Sequence, residues 1–211
     1  MKSPRRNDGP KRPLRIARLR RSQLPSDTVR LARYLIGKTL VHDHPAGRLA
    51  GRIVETEAYP PGDAAGHAYI GQTARNRSLF KRRAHAYIYF IYGSSFMVNV
   101  SSEHPGVGAG VLLRAIEPLE GIERMKRRSK SKQVRDLGRG PGRLAKVMRI
   151  DRGLDGIDLC ALGPLWLGRA VRPAGRIAVS VRIGITREAH RKLRFYERGN
   201  PCVSGPKRLC R

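Results

Sequence analysis

From Leu24 onward the chain breaks into short runs in which apolar side chains recur at every second residue, separated by glycine- and proline-rich turns. This is the pattern of half-buried strands joined by loops. Leu31, Tyr34 and Leu35 instead follow helical spacing, and Ser26 or Asp27 caps this first helix, which stops at Gly37. Thr39 to His42 and Ala50 to Ala58 then read as strands. Tyr87 to Tyr92 (YIYFIY) and Phe96 to Ser101 (FMVNVS) flank Gly93 to Ser95 as a β-hairpin, and Val111 to Ile116 is a further strand. After Pro118 the pattern turns helical, and KRRSKSK within the stretch from Arg124 to Arg139 reads as an exposed loop. Gly140, Pro141 and Gly142 precede LAKVMRI, a short helix whose N-terminus suits a backbone phosphate or is an ordinary loop-to-helix join. Ile177 to Ile185 reads as a strand, and Leu193 to Pro201 as a closing strand and turn. Hairpin-joined strands with helices at the periphery predict an α+β fold rather than a parallel βαβ array.

Composition changes the picture through charge. The 211 residues carry 44 Lys plus Arg against 16 Asp plus Glu, a net charge of +28 and a pI near 11.5, far beyond what solubility requires. Such an excess points to nucleic acid or an anionic membrane. No run of eighteen apolar residues exists and no basic amphipathic helix shows an aromatic face, which argues against a membrane protein and leaves DNA or RNA. Residues 1–22 form a basic, proline-broken arm expected to be disordered, either adding phosphate contacts or acting as a solubilising tail. One domain, residues 23–211, is expected to follow it. Cys160, Cys202 and Cys210 lack metal-ligand spacing and read as reduced thiols, and no signal-peptide pattern opens the chain, so an intracellular location is expected.

On so basic a chain the stretch Gly51 to Tyr59, GRIVETEAY, places two carboxylates and an aromatic ring at alternate positions of an apolar strand. Carboxylates near a polyanion-binding surface raise the cost of holding nucleic acid unless they do chemistry or pair with arginine. Glu55 and Glu57 point to the same side of a flat strand, so spacing does not choose between them. Arg114 lies in the buried-looking strand VLLRAI and needs a carboxylate or phosphate partner; pairing with Glu117 is the plain alternative.

In order and spacing, GRIVETEAY, TARNRSLF, AYIYFIYG, VNVSS, GVLLRAIEPLEG, GPGRL and LRFYERGNP resemble the alkyladenine (3-methyladenine, or methylpurine) DNA glycosylases from about Leu24 to Ser204. The resemblance implies one compact α+β domain with a curved antiparallel sheet, peripheral helices and a hairpin presenting a DNA-intercalating tyrosine. It implies an enzyme that flips damaged purines out of duplex DNA and hydrolyses their N-glycosidic bonds without a cofactor or metal. The expected partner is double-stranded DNA containing damaged purines. A monomer is expected, since closing around one lesion needs no second copy.

Residue by residue, the family assigns the water-activating carboxylate to the position before Ala-Tyr, here Glu57, and places Arg114 beside it as the second catalytic residue. Glu55 then reads as a structural, arginine-paired carboxylate. Tyr59, His67 and Tyr89 match the aromatic slot for the flipped base, where cation–π contact favours cationic purines. Asn99 matches the asparagine that crowds the 2-amino group of normal guanine. Tyr92 matches the wedge that enters the minor groove. Arg75 and Arg77, with Asn76 between them, supply donors for phosphate or loop stabilisation, and Gly140 and Gly142 a close approach to the DNA backbone. No lysine lies between Ile53 and Tyr59 or between Tyr87 and Asn99, so an abasic product without strand cleavage is expected. The rival reading is a non-catalytic basic nucleic-acid-binding protein whose carboxylates are structural; a catalytically dead lesion-marking relative is a third.

Overall fold

Strand β2 (Leu49–Tyr59) is the axis of the fold in this computed structural model, which describes residues 14–209. One edge of β2 pairs antiparallel with β5 (Gly110–Glu120), while the other edge changes partner, from β1 (Thr39–His42) to β8 (Arg194–Glu197) at Glu55. The remaining order runs outward from β5 to β4 (Ser95–Ser101) and β3 (Ala86–Ile91), and from β1 to β6 (Leu165–Gly168); β7 (Ile177–Ser180) joins through β8. All these pairings are antiparallel, which with the peripheral helices makes the domain α+β.

Antiparallel strands usually bury one face, yet β2 is buried from Leu49 to Ala58. Helix α1 (Thr28–Leu35) covers one side: it packs Leu31, Ala32 and Leu35 inward, and its Ala32 carbonyl accepts the Thr56 hydroxyl at 2.9 Å. Asp27 caps this helix by accepting from the Arg30 amide, and Gly37 leaves it at φ +85°. The other side is covered by Tyr196, Cys202 and Val203, which cluster with Val54. Register shifts flank Glu55, so Val54 and Glu55 both face that second side. After the bulge the alternation resumes, and Glu55, Glu57 and Tyr59 share one face, as the strand pattern predicts.

Several expectations need correction. Strand β5 runs through Pro118 to Glu120, and the helix α2 (Ile122–Arg127) starts only after Gly121 at φ +76°. Proline is tolerated there because β4 pairs only with residues 110–112 of β5, leaving the other edge free of a ladder. The KRRSKSK stretch is not all loop, since Lys126 and Arg127 end α2; α3 (Val134–Leu137) and α4 (Pro141–Val147) follow. Only Ile177–Ser180 of the expected strand to Ile185 is paired. Strand β6 was not anticipated. Within the expected arm, Leu19 is buried and its amide donates to the Leu167 carbonyl at 2.9 Å, so packing starts before Leu24; residues 1–13 and Cys210 lie outside the described residues. Among the described residues no helix is long and apolar enough to cross a membrane.

Candidate active site

Glu55 and Glu57 are both without solvent exposure, and their partners separate them. Glu55 Oε1 accepts from Arg194 Nε at 2.6 Å and from Arg114 Nε at 3.0 Å, and Oε2 from the Ser204 amide at 2.7 Å. Oε1 thus anchors two arginines, and Oε2 the backbone at Ser204. Glu57 Oε1 accepts from the Ile183 amide at 2.8 Å; its Oε2 accepts the Tyr59 hydroxyl at 2.9 Å and lies 3.1 Å from Arg114 Nη1. Arg114 therefore spans both carboxylates, and Glu117 instead pairs with Arg52 and Arg172.

Electrostatics follow from this burial. Desolvation pushes the Glu57 carboxyl above its ordinary range, against Arg114, the Ile183 amide and the Tyr59 hydroxyl, which favour the charged form. Burial acts to lower the Arg114 guanidinium, but Glu57 and then Glu55 outweigh it, so the cation is held firmly charged. Tyr59 is pushed well above the phenol range by burial and then by Glu57.

In front of this pair opens a cleft of about 330 Å³, lined by Tyr59, Arg114, Ile183 and a group of rings. Glu57 lies directly behind the lining, bonded or ion-paired to three residues that form it. His67 and Tyr89 ring centroids are 4.3 Å apart, Tyr87 stacks on Tyr89 at 5.3 Å, and His67 Nδ1 lies 2.9 Å from the Tyr87 hydroxyl. The Tyr89 hydroxyl is pushed up to about 12, by burial first, and stays neutral. Met97 lies opposite Tyr89 in register and shares the lining.

Tyr92 projects from the tip of the β3–β4 hairpin at the mouth of this cleft, 78% exposed and at φ +55°, followed by Gly93 at φ +62°. Asn99 is buried beside the cleft rather than on its lining; its amide donates to the Tyr87 carbonyl at 3.2 Å. The exposed Arg75 donates to the Phe90 carbonyl at 3.2 Å, and Arg77 is exposed beside it. Asn76 is buried and bonds the His67 and Gly71 carbonyls at 2.8 and 2.9 Å, tying the loop that carries His67. Gly140 precedes α4 at φ +122°, and a Cβ on Gly142 would lie 2.9 Å from Ser95 Oγ, which explains a glycine at this approach of α4 to the hairpin.

Four groups at the site were not foreseen. Tyr87 belongs to the ring stack. The Ile183 amide holds Glu57 from a loop expected to be strand. Arg194 shares Glu55 with Arg114. Arg182 lies 4.6 Å over the Tyr59 ring, bonded to the Ala58 carbonyl at 3.0 Å and paired with buried Asp63 at 2.6 Å. A carboxylate at 63 and arginines at 182 and 194 are visible in the sequence, but nothing local signals that they meet. Among the described residues no group of three or more His, Cys, Asp or Glu is arranged to hold a metal ion.

The comparisons with known proteins converge. Residues 22–201 match the family model described as methylpurine-DNA glycosylase. A protein of Mesorhizobium japonicum is 62% identical over 189 residues, covering 90% of this chain and 91% of its own. One of Paraburkholderia phytofirmans is 51% identical over 94% of this chain and 93% of its own, and one of Methanocella arvoryzae 47% identical over 84% and 90%. Each of the three is named "Putative 3-methyladenine DNA glycosylase".

Proposed function

The chain belongs to the methylpurine-DNA glycosylase family, and from that premise we propose that it takes alkylated or deaminated purines of the 3-methyladenine, 7-methylguanine, hypoxanthine and ethenoadenine class out of duplex DNA. The purine is flipped into the aromatic cleft and its N-glycosidic bond hydrolysed, leaving an abasic site and an uncut strand. The observation that carries this reading is the buried Glu57–Arg114 pair set immediately behind a ring-lined cleft.

Hydrolysis of the bond builds positive charge on the sugar, and a carboxylate behind the cleft serves both to stabilise that charge and to take a proton. The water oxygen bonds to C1′, its proton passes to the Glu57 carboxylate, and the electrons of the C1′–N bond leave with the purine. A base that is cationic at the start departs neutral, so alkylation supplies much of the leaving-group activation. Unstacking a base costs a few kcal/mol, and stacking on aromatic rings returns about 1–3 kcal/mol per base; His67, Tyr87 and Tyr89 offer that compensation. Tyr92 fills the gap in the duplex.

The test is single-turnover release of hypoxanthine and 3-methyladenine from duplex DNA by the native protein and by Glu57→Gln at matched binding. Release by the native protein and a loss of at least about 10²-fold in the variant support the reading. A native protein that binds damaged and undamaged duplex alike and releases nothing is the non-catalytic DNA binder instead.

A further inference from the structure

The β3–β4 hairpin divides two clefts. Tyr89, Ile91 and Met97 face the ring-lined cleft, whereas Phe90, Phe96, Ser94 and Ser95 line a second one of about 450 Å³ between the hairpin and α4. The far wall of the second cleft carries Arg128, Lys146 and Arg149. The cations of the first site are consumed internally, Arg114 by Glu55 and Glu57 and Arg182 by Asp63. Those of the second are not: among the described residues no ion pair involves Arg128, Lys146 or Arg149. Arg128 bonds the Lys146 carbonyl at 2.9 Å and Arg149 reaches His44 Nε2 at 3.2 Å, neither of which neutralises charge. Asp151 also lines this cleft and its carboxylate caps the Gly153 amide at 2.9 Å, so the wall carries three cations against one carboxylate. A concave surface with three cations outside any ion pair and a net positive charge is a receptor for phosphodiester groups.

We infer that this cleft holds backbone phosphates of the DNA strand opposite the lesion. The inference rests on the flipping reading above. A flipped nucleotide remains covalently attached to its own strand, so the lesion strand passes on the ring-lined side of the hairpin. If Tyr92 enters the minor groove from the tip between the two clefts, the other strand must pass on the opposite side of the same ribbon, where Arg128, Lys146 and Arg149 wait. Neither base-reading nor catalysis is involved, and the contact makes recognition of a duplex, rather than of a single strand, a property of the protein's shape.

The experiment compares the native protein with Lys146→Gln/Arg149→Gln, which keeps the side-chain stems, and with Lys146→Arg/Arg149→Lys, which keeps the charge. Binding to hypoxanthine duplex is measured across salt concentration, with uncharged methylphosphonate linkages placed in one strand or the other, and base release is followed in parallel. The double Gln variant should lower the salt slope by about two, near 0.9 per phosphate lost, the charge-keeping variant should restore it, and release from a single-stranded hypoxanthine oligonucleotide should be unchanged. Methylphosphonates in the undamaged strand should weaken the native protein and add nothing to the Gln variant. If that neutralisation weakens both proteins equally, or if single-strand release falls with duplex binding, the inference is overturned. Absence of base release by the native protein would overturn the glycosylase reading itself, and this inference with it.

Discussion

Arg114 Nη1 lies 3.1 Å from Glu57 Oε2 at a point where Glu57 has no contact with solvent. The carboxylate is thus held by one cation and by hydrogen bonds from Tyr59 and the Ile183 amide against its loss of hydration, and burial prevails: its proton affinity is raised. In the proposed mechanism the carboxylate is the active form, so release of a cationic base such as 7-methylguanine, which needs no leaving-group protonation, should rise with pH through a midpoint above the ordinary value of 4.5. Removing the largest opposing charge in Arg114→Gln should move that midpoint to higher pH. Single-turnover rates across pH read both, and an unmoved midpoint in the variant would break the link between the two residues.

The same shift has a thermodynamic side. A carboxyl whose folded value is raised favours folding most below its unfolded value, near 4.3, and that contribution is lost as pH rises through the folded value. Glutamine carries no such penalty. The stability of Glu57→Gln relative to the native protein should therefore shift in the variant's favour as pH rises from about 4.3 through the folded value of Glu57, whatever the fixed cost of leaving Arg114 with Glu55 alone. Melting curves at three pH values decide it; a difference between the two proteins that does not change with pH contradicts the balance argued for this group.

Asp63 and Arg182 are both fully buried and pair at 2.6 Å, with Arg191 a second, half-exposed partner at 3.3 Å. Asp63→Asn leaves the Arg182 charge largely uncompensated and should cost about 3–5 kcal/mol, while Asp63→Leu with Arg182→Met removes both charges and should cost much less. The double variant also takes away the cation under the Tyr59 ring, so it should recover stability without recovering tight binding of a lesion duplex. Denaturant unfolding and lesion binding measured on the three proteins separate the two effects, and equal stability losses in single and double variants would refute the first.

How much of this was legible in the chain depends on the range of the interactions. Asp27, the spacing of Leu31 and Leu35, and Gly37 make α1 readable because cap, face and stop all lie within one segment. The alternation of Glu55, Glu57 and Tyr59 is likewise local. The choice between the two carboxylates is not: Glu55 is anchored by arginines 59 and 139 positions away, and Glu57 by an amide 126 positions away. The strand LWLG escaped notice because four apolar residues have no measurable period. Pro118 misled because a strand end with one free edge accepts a residue that a paired edge rejects. Residues 181–185 look like strand since Val181, Ile183 and Ile185 alternate, yet Ile183, Gly184 and Ile185 line the site and the Ile183 amide binds Glu57 instead.

Tyr92 offers a separation of stability from function. Its backbone lies at φ +55°, in the left-handed region that costs an ordinary residue roughly 1 kcal/mol and glycine almost nothing. Its ring is 78% exposed and so returns little packing energy to the free protein. A tyrosine held in that conformation, with nothing of the protein's own to bury, at the tip of the hairpin and the mouth of the cleft, suits the contact with duplex that the proposed function assigns to it. Tyr92→Gly should accordingly melt no lower than the native protein, and Tyr92→Ala within about 1 kcal/mol of it. Both should bind undamaged duplex nearly as well, because the phosphate contacts are untouched, and both should lose excision by 10-fold or more, since an unfilled gap lets the purine return to its stack. Measuring melting, undamaged-duplex affinity and single-turnover release on the same three proteins gives each claim its own readout. Parallel loss of affinity and excision would make Tyr92 an ordinary DNA contact, and a marked drop in melting temperature would make it part of the fold.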